Sequence, residues 1–451
     1  MRLPSTRALA AELGVSRTTV LIAFDQLMSE GYITGRKGSG TFVADSIPDE
    51  LLRVRAPSAS KARQPLGTRT LSRRGVLLAS TLSSFSSDEC GGLAFKLGLP
   101  AIDAFPFEVW SKLSSKRWCR PTVDLAGYGN PAGYHPLREA IANYLSTSRG
   151  VRCDPGQVII VSGSQQGLDL AARVLLDPGD SAWIEDPGYR GAHGALIGSG
   201  ANLVPVPVDD QGLDVAAGEA LNSGAKLAYV TPSHQYPLGI TMSLSRRLAL
   251  LAWASRSGSW ILEDDYDSEY RYSGRPLTAL QGLDTEGRVI YVGTFSKVLL
   301  PALRLGYLVV PADLVDAFTA AHSHSAYNSP PIEQAILAHF INEGHFARHI
   351  RKMRALYEER QAALIEAASR ELDGLLEVNT AEAGMHLIGW LPDKINDQFV
   401  SRKAASAGVD VRPLSFYCIE AKYRPGLLLG YTGVQEAEIF QGAKNLAASL
   451  R

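Results

Sequence analysis

Seven short apolar runs punctuate the middle of the chain, at residues 158–161, 182–185, 203–208, 227–230, 260–264, 289–292 and 305–310. Long stretches with helical periodicity lie between several of them, and that alternation predicts an α/β domain with a mostly parallel sheet. Five polar loops follow the carboxyl ends of these runs: Gly163-Ser164-Gln165-Gln166-Gly167, Asp186-Pro187-Gly188-Tyr189, Thr231-Pro232-Ser233-His234-Gln235-Tyr236-Pro237, Asp264-Asp265-Tyr266 and Thr294-Phe295-Ser296-Lys297. Sheets of this kind bind ligands beyond the carboxyl ends of their strands, so the five loops are expected on one rim. After Pro330 the pattern turns helical over residues 331–368 and then mixed, as in a smaller C-terminal α/β domain.

The length of 451 residues exceeds what one core fills and implies two or three domains. Residues 1–44 are compact and patterned. Residues 45–88 are rich in Ser, Arg, Pro and Ala with little periodicity and read as a linker. Residues 89–451 are folded-domain material. The net charge of −1 conceals an asymmetry. Residues 1–75 hold twelve Lys/Arg and six Asp/Glu, a balance of +6, against 33 and 40 in the rest, a balance of −7. A basic head on an acidic body points toward nucleic acid, although a solvated Arg-rich linker has the same charge. Four scattered cysteines, Cys90, Cys119, Cys153 and Cys418, form no C-x-x-C pair, so neither a disulfide framework nor a metal site is expected. No apolar run reaches the ~18–20 residues of a membrane helix and no apolar segment opens the chain, which sets the cytoplasm as the expected compartment. The Arg73-Arg74 pair before an apolar stretch is internal and is not read as an export signal.

The loops carry chemistry. A lysine just after a buried strand, such as Lys297, can lose its charge by desolvation and become a nucleophile toward aldehydes. Hydroxyls at Thr294 and Ser296 with the Arg304 guanidinium suit a phosphate, as does a helix starting at Ser164 and Gln165. Asp264 and Tyr266, two apart at a strand end, point to one face, with Asp265 opposite in a structural role. A carboxylate there can pair with a protonated pyridine nitrogen, and a tyrosine can donate to a ring oxygen. Tyr189 can present its ring to a flat cofactor. Each feature alone has a plain alternative: a surface lysine, a capped strand end, a glycine turn, a packed tyrosine. His234 is read as a packing histidine or a ligand-pocket residue.

Taken together and in this order, the five loops resemble the fold-type I pyridoxal 5'-phosphate (PLP) enzymes of the aspartate aminotransferase superfamily, over residues 92–450. The resemblance implies that Lys297 forms the Schiff base, Asp264 pairs with the pyridine nitrogen, Tyr266 donates to the phenolate oxygen and Tyr189 stacks on the ring. It makes Ser164, Gln165, Thr294, Ser296 and Arg304 phosphate ligands. Tyr128, in Tyr128-Gly129-Asn130-Pro131, resembles a tyrosine that reaches the phosphate of a neighbouring subunit, which implies a homodimer. Two positions depart from the pattern. Tyr236 stands near the place of a ring-contacting asparagine, and Leu428 stands where an arginine usually binds a substrate carboxylate. Arg412 and Arg424 are possible substitutes.

In the head, Ser5 is a plausible cap for a helix with Leu9 and Leu13 inward, Gly14 ends it, and Ser16 caps a second helix with Val20, Phe24 and Leu27 on one face. This is helix-turn-helix grammar, with Arg17, Thr18 and Thr19 at the start of the recognition helix and Lys37 and Gly38 in a wing. A plain helical hairpin is the alternative. The head resembles the GntR-type winged helix, in which positions matching Arg7, Arg17, Thr18, Thr19 and Gly38 touch DNA. That family has a further helix before L-P-S-x-R, so the head is read as a partial winged helix-turn-helix. Head, linker and body together resemble the MocR/GabR transcriptional regulators, as do Gly344-His345-Phe346-Ala347-Arg348 and Gly98-Leu99-Pro100. The expectation is a PLP-dependent DNA-binding regulator that senses PLP or an amino compound. The alternatives are an active aminotransferase with a vestigial head and a PLP reservoir.

Overall fold

The structure is a computed structural model and describes residues 1–36, 39–44, 70–81, 94–119, 122–274, 277–326 and 328–451. It divides into two units, Met1–Thr70 and Leu71–Arg451.

The first unit contains α1 (Thr6–Leu13), α2 (Arg17–Ser29), β1 (Ile33–Arg36) and β2 (Gly40–Val43). Ser5 caps α1 by accepting from the Ala8 amide at 3.2 Å, and Ser16 caps α2 by accepting from the Thr19 amide at 3.1 Å. Such caps satisfy amides that have no partner within the helix. Gly14, at φ 65°, makes the left-handed turn between the helices. The strands pair antiparallel as a hairpin. Ala10, Val20, Phe24 and Ile33 form the small core, with Leu3, Leu9 and Tyr32 packed on it. Two expectations are corrected here: Leu13 is 61% exposed and Leu27 37% exposed. Two short helices and one hairpin enclose only the positions that face each other, and Ala10 takes the inward place assigned to Leu13.

The second unit is built on an eight-stranded sheet in the order β3-β10-β9-β8-β7-β4-β5-β6. The strands are β3 (Val158–Val161), β4 (Ser181–Asp186), β5 (Asn202–Asp209), β6 (Gly212–Leu213), β7 (Leu227–Val230), β8 (Trp260–Asp265), β9 (Val289–Thr294) and β10 (Gly306–Val309). All seven apolar runs are therefore strands. β4, β5, β7, β8 and β9 run parallel, while β10 is antiparallel to both β3 and β9. Alternate residues feed different cores: Val158 and Ile160 pack with Tyr291 and Tyr307, whereas Ile159 and Val161 pack with Ile184, Leu262 and Leu308. Both faces of β3, β7, β9 and β10 are buried, which is why those runs are apolar throughout, while β5, next to the sheet edge, keeps exposed positions.

The smaller sheet is antiparallel, in the order β11-β12-β14-β13, from β11 (Glu377–Val378), β12 (His386–Trp390), β13 (Arg412–Pro413) and β14 (Gly426–Gly430). The helical stretch after Pro330 is two helices, Pro331–Asn342 and His345–Glu371, separated at Gly344 with φ 75°. Asp186, at the end of β4, accepts at 2.7 Å from the backbone amides of Ile419, Glu420 and Ala421 and so ties the loop after β13 to the large sheet.

Most of residues 45–88 lie outside the described residues. Within that stretch Arg73–Thr81 is a helix, α3, a correction to the reading of little periodicity. It packs on the helix Arg190–Ser199. A Cβ at Gly198 would lie 3.3 Å from Leu78, so the small residues of the receiving helix allow the close approach. A 3.6-residue repeat is hard to read in a nine-residue segment with Val76, Leu77 and Leu78 all exposed.

Trp183 on β4 stacks on Trp253 at 3.9 Å between ring centroids, and its indole donates to the Asn222 carbonyl at 2.9 Å. Both rings are essentially inaccessible. Trp183→Ala leaves a large void and one unmatched carbonyl, and should destabilise the body by about 3–5 kcal/mol. Chemical denaturation followed by tryptophan-independent circular dichroism checks this, and an unchanged midpoint would contradict it.

Candidate functional site

One cavity of about 270 Å³ sits over the carboxyl ends of the large sheet, walled on its far side by the smaller one. Its walls include Ser164, Gln165, Tyr189, Asp264, Tyr266, Thr294, Ser296, Lys297 and Arg304. Nine of the ten residues expected at the cofactor thus line one space, eight of them from four of the five loops and Arg304 from the turn beyond them. The tenth, Tyr128, is 78% exposed and does not line it.

The phosphate end is built by local backbone geometry. Gly163, at φ 93°, precedes the helix Ser164–Leu175, whose first turn opens into the cavity. Arg304 adopts φ 49°, an unusual value for a residue with a side chain, at the end of the turn Pro301–Leu303. That conformation brings the guanidinium against Gly163, where a Cβ would lie 3.7 Å from its carbon. A helix N-terminus, hydroxyls at Ser164, Thr294 and Ser296, and a guanidinium together suit a phosphate. Gln165 also lines the cavity, and its side chain donates to the Gly191 carbonyl at 2.8 Å and so braces the loop that carries Tyr189.

Lys297 follows β9, and its Nζ donates to the Gly98 carbonyl at 3.1 Å. Gly98 has φ 68°, and a Cβ there would lie 2.3 Å from Nζ, so only glycine leaves room for the lysine. Burial lowers the Lys297 pKa, partly offset by the charges of Asp267 and Asp264. Asp264 is 4% exposed, and burial pushes its carboxyl up to about 7 against the bond from Tyr229. Tyr229 donates to Asp264 Oδ2 at 2.9 Å, while Oδ1 is buried without a hydrogen-bond partner. A buried carboxylate oxygen facing a cavity is completed by a protonated nitrogen of a ligand, as a pyridine ring supplies. These residues fit PLP: a hydroxyl- and guanidinium-lined end for its phosphate, an orphan carboxylate for its nitrogen and a desolvated amine for its aldehyde.

Asp265 points the other way, as expected. It accepts from Arg149 Nε at 2.8 Å and from the Tyr291 hydroxyl at 2.6 Å, under the sheet. Sequence reasoning missed Tyr229, Thr231, Met385, His386, Gly98 and Pro301, which also line the cavity. Tyr229 carried one usable signal: a hydroxyl inside a fully apolar run must find a partner. It also missed Glu185, whose carboxylate accepts from Thr231 Oγ1 at 2.7 Å and from Gln235 Nε2 at 3.2 Å and thereby orders the 231–237 loop.

The remaining ligand candidates fall in different places. His234 stands behind Tyr266, 4% exposed, and does not line the cavity. Arg424 does not line it either; its guanidinium bonds Glu377 at 2.7 Å and the Leu391 carbonyl at 2.9 Å in a separate groove. Arg412 pairs across the small sheet with Leu428, so the two side chains share a face. Its Nε lies 3.4 Å from Asp410, and its charge acts on Tyr236 and Tyr417, which bond each other at 3.0 Å. Leu428 itself is buried with Leu414 and Tyr417, and Leu97, Tyr236 and Trp390 pack against them.

In the head, Arg7, Arg17, Thr18 and Thr19 are exposed, the last three at the start of α2. The Ser16 hydroxyl is committed to capping and to the Thr19 hydroxyl at 2.8 Å. Lys37 and Gly38 lie outside the described residues.

Residues 103–427 match the family of class I and II aminotransferases, and residues 1–43 match the bacterial regulatory proteins of the gntR family. Over its whole length the chain is 42% identical to the probable rhizopine catabolism regulatory protein MocR of Rhizobium meliloti, covering 99% of this chain and 89% of that one. The chain belongs to the MocR-type transcriptional regulators. It is also 34% identical to the transcriptional regulator TauR of Rhodobacter capsulatus, covering 100% of this chain and 92% of that one. Among solved structures it is similar to the α-aminoadipate aminotransferase LysN of Thermus thermophilus, complexed with N-(5'-phosphopyridoxyl)-L-leucine. That likeness has a TM-score of 0.76 and 28% identity over 84% of this chain and 98% of that one. The body is an aminotransferase-like domain of fold type I, its cofactor is pyridoxal phosphate, and a head of the gntR kind binds DNA. Among the described residues no helix is long and apolar enough to cross a membrane, and no His/Cys/Asp/Glu group is arranged for a metal.

Burial holds Glu185, Glu263, Asp264 and Glu269 each up to about 7. The unfolded chain releases these protons near pH ~4, so between pH ~4 and ~7 the folded state binds more protons than the unfolded one. Stability of the cofactor-free protein should therefore fall as pH rises through that window. Urea midpoints at pH ~5.5 and ~7.5 test this; a higher midpoint at the upper value would count against it.

Proposed function

We propose that the protein is a DNA-binding transcriptional regulator whose body holds PLP covalently through Lys297 and senses PLP itself or an amino compound that reacts with it. One observation carries the reading: nine of the expected cofactor groups line one cavity, while the position where a substrate-binding arginine is usual is filled by buried Leu428, packed against Leu97 and Tyr236. PLP, when bound, supplies an aldehyde that amines attack and an electron-withdrawing ring. Of the residues that would hold it, Lys297 would offer the desolvated amine, Asp264 would pair with the ring nitrogen, and Tyr266 would donate to the ring oxygen. Ser164, Thr294, Ser296 and Arg304 anchor the phosphate, and Tyr189 packs on the ring, steadied by Gln165. In the head, Arg7, Arg17, Thr18, Thr19, Lys37 and Gly38 contact DNA, with Ser16 setting the helix that presents them. We place the head at residues 1–44, the linker at 45–88 and the body at 89–451, in a cytoplasmic homodimer in which Tyr128 reaches the neighbouring subunit's phosphate. Arg412, on the face of Leu428, meets the effector's polar end; Arg424 and His234 do not touch it.

The completeness of the Lys297 site also favours a second reading, an aminotransferase with a vestigial head. Retardation of promoter DNA from adjacent genes separates the two. The regulator reading expects wild type and Lys297→Ala both to retard the fragment, with only wild type altering its binding when PLP or an amine is added. Arg17→Ala should weaken retardation by about tenfold, the loss of one charge-assisted contact. No retardation by the wild type, together with rapid keto-acid formation from amino acids, would favour the enzyme.

A further inference from the structure

Behind the cavity wall stands a pair of groups that no contact with the cofactor explains. His234 Nδ1 lies 2.9 Å from the Tyr266 hydroxyl and 2.9 Å from Asp267 Oδ2. The imidazole is 4% exposed and Asp267 1% exposed. The ring is clamped in place, since a Cβ at Gly384 would lie 2.2 Å from its Cε1 and one at Gly239 3.2 Å from its Nε2. Both glycines have positive φ, so the backbone closes tightly around this one side chain.

The chemistry of the donors fixes where the hydrogens go. A carboxylate can only accept, so the nitrogen beside Asp267 carries a hydrogen. A nitrogen that carries a hydrogen cannot accept one from Tyr266. The tyrosine oxygen is therefore the acceptor at that contact, and its own hydrogen must turn elsewhere. Tyr266 lines the cavity, and burial with the nearby Asp267 raises its pKa far above the usual range, so the hydrogen is kept. We propose that His234, oriented by Asp267, is a positioning residue that turns the Tyr266 hydroxyl hydrogen into the cofactor cavity. The inference rests on the PLP reading and deepens it. It assigns to the 231–237 loop, which has Tyr236 where a ring-contacting asparagine is usual, an indirect grip on the ring oxygen through Tyr266.

Around this pair stand Asp264 from the end of β8 with Asp267 just beyond it, Glu185 from β4, Tyr236 from the same loop as His234, His386 from β12, Lys297 from the turn after β9, and Tyr272 and Tyr431 near Asp267. A hydroxyl donating to the ring oxygen draws negative charge away from the proton at Lys297 Nζ, so losing that donation makes the proton bind more tightly.

The test is the pH dependence of the absorbance of the PLP-loaded full chain. Tyr266→Phe and His234→Leu should each raise the midpoint by about one pH unit, the size expected for one buried hydrogen bond. The double variant should match Tyr266→Phe alone, because His234 acts only through that hydroxyl. His234→Asn places an amide N–H where Nδ1–H stood and should stay within ~0.3 unit of wild type, whereas His234→Gln places it at the wrong ring position and should shift as leucine does. If His234→Leu does not fold, the Asn and Gln pair carries the test. An unmoved midpoint in His234→Leu or His234→Gln alongside a moved one in Tyr266→Phe overturns the proposal, as do additive shifts in the double variant. A wild type with no pH-dependent cofactor band overturns the PLP reading itself and this inference with it.

Discussion

Two adjacent carboxylates at the end of β8 divide the body into a chemical side and a structural side. Strand geometry sends Asp264 up into the cavity and Asp265 down beneath the sheet. Two buried negative charges so close together are costly unless each finds compensation. Asp265 finds it in Arg149: burial works against the guanidinium's charge, but Asp265 more than restores it and holds Arg149 firmly protonated. Arg149 uses its other nitrogens on Ser233 and the Leu277 carbonyl, both at 2.6 Å. One buried ion pair thereby joins the helix His135–Arg149, the strand end and the 231–237 loop. Asp264, which lines the cavity, is left without such an ion pair, with one oxygen bonded by Tyr229 and the other buried without a partner. The structure completes one carboxylate and leaves its neighbour for a ligand.

The same logic explains why the 231–237 loop is so heavily tied. Glu185 holds it from β4, Arg149 from below and Asp267 from the strand end, the last through His234. In exchange the loop presents Thr231 and Tyr236 to the cavity and keeps His234 behind Tyr266. Rigid support of this kind is what holds a reactive amine and a ring within the few tenths of an ångström that their chemistry needs.

What could be read from the sequence followed period and local spacing. Seven strands were legible as apolar runs, and in β3, β7, β9 and β10 the reason is that a doubly covered strand is apolar throughout. Asp264 and Tyr266 were legible because two-residue spacing fixes their common face. The nine residues that line the cavity could be picked out because each sits next to the end of a strand. The partners that complete these groups were not, because Tyr229 to Asp264, Arg149 to Asp265 and Glu185 to Thr231 are contacts across 35, 116 and 46 residues of chain. In the head, periodicity placed Leu13 and Leu27 inward, but burial depends on what covers a face and the described head covers only Ala10, Val20, Phe24 and Ile33. The helix Arg73–Thr81 escaped notice because its order comes from the surface it packs on rather than from its own pattern.

The pairing of Arg412 with Leu428 bears on what the cavity is for. Position 428, on an inner strand of the small sheet, is where the aminotransferase pattern has a guanidinium, and here it is filled by buried Leu428. Arg412 shares the face but stands one strand out, on the edge, with Asp410 3.4 Å away. An anionic group reaching Arg412 must displace part of an existing charge pair and approach past buried Tyr236 and Tyr417. Binding there is weaker and more selective than at a preformed, solvated arginine, because the competitor is already in place. Under the proposed sensing role, such a site would suit recognition of one amine by its shape rather than rapid processing of many amino acids.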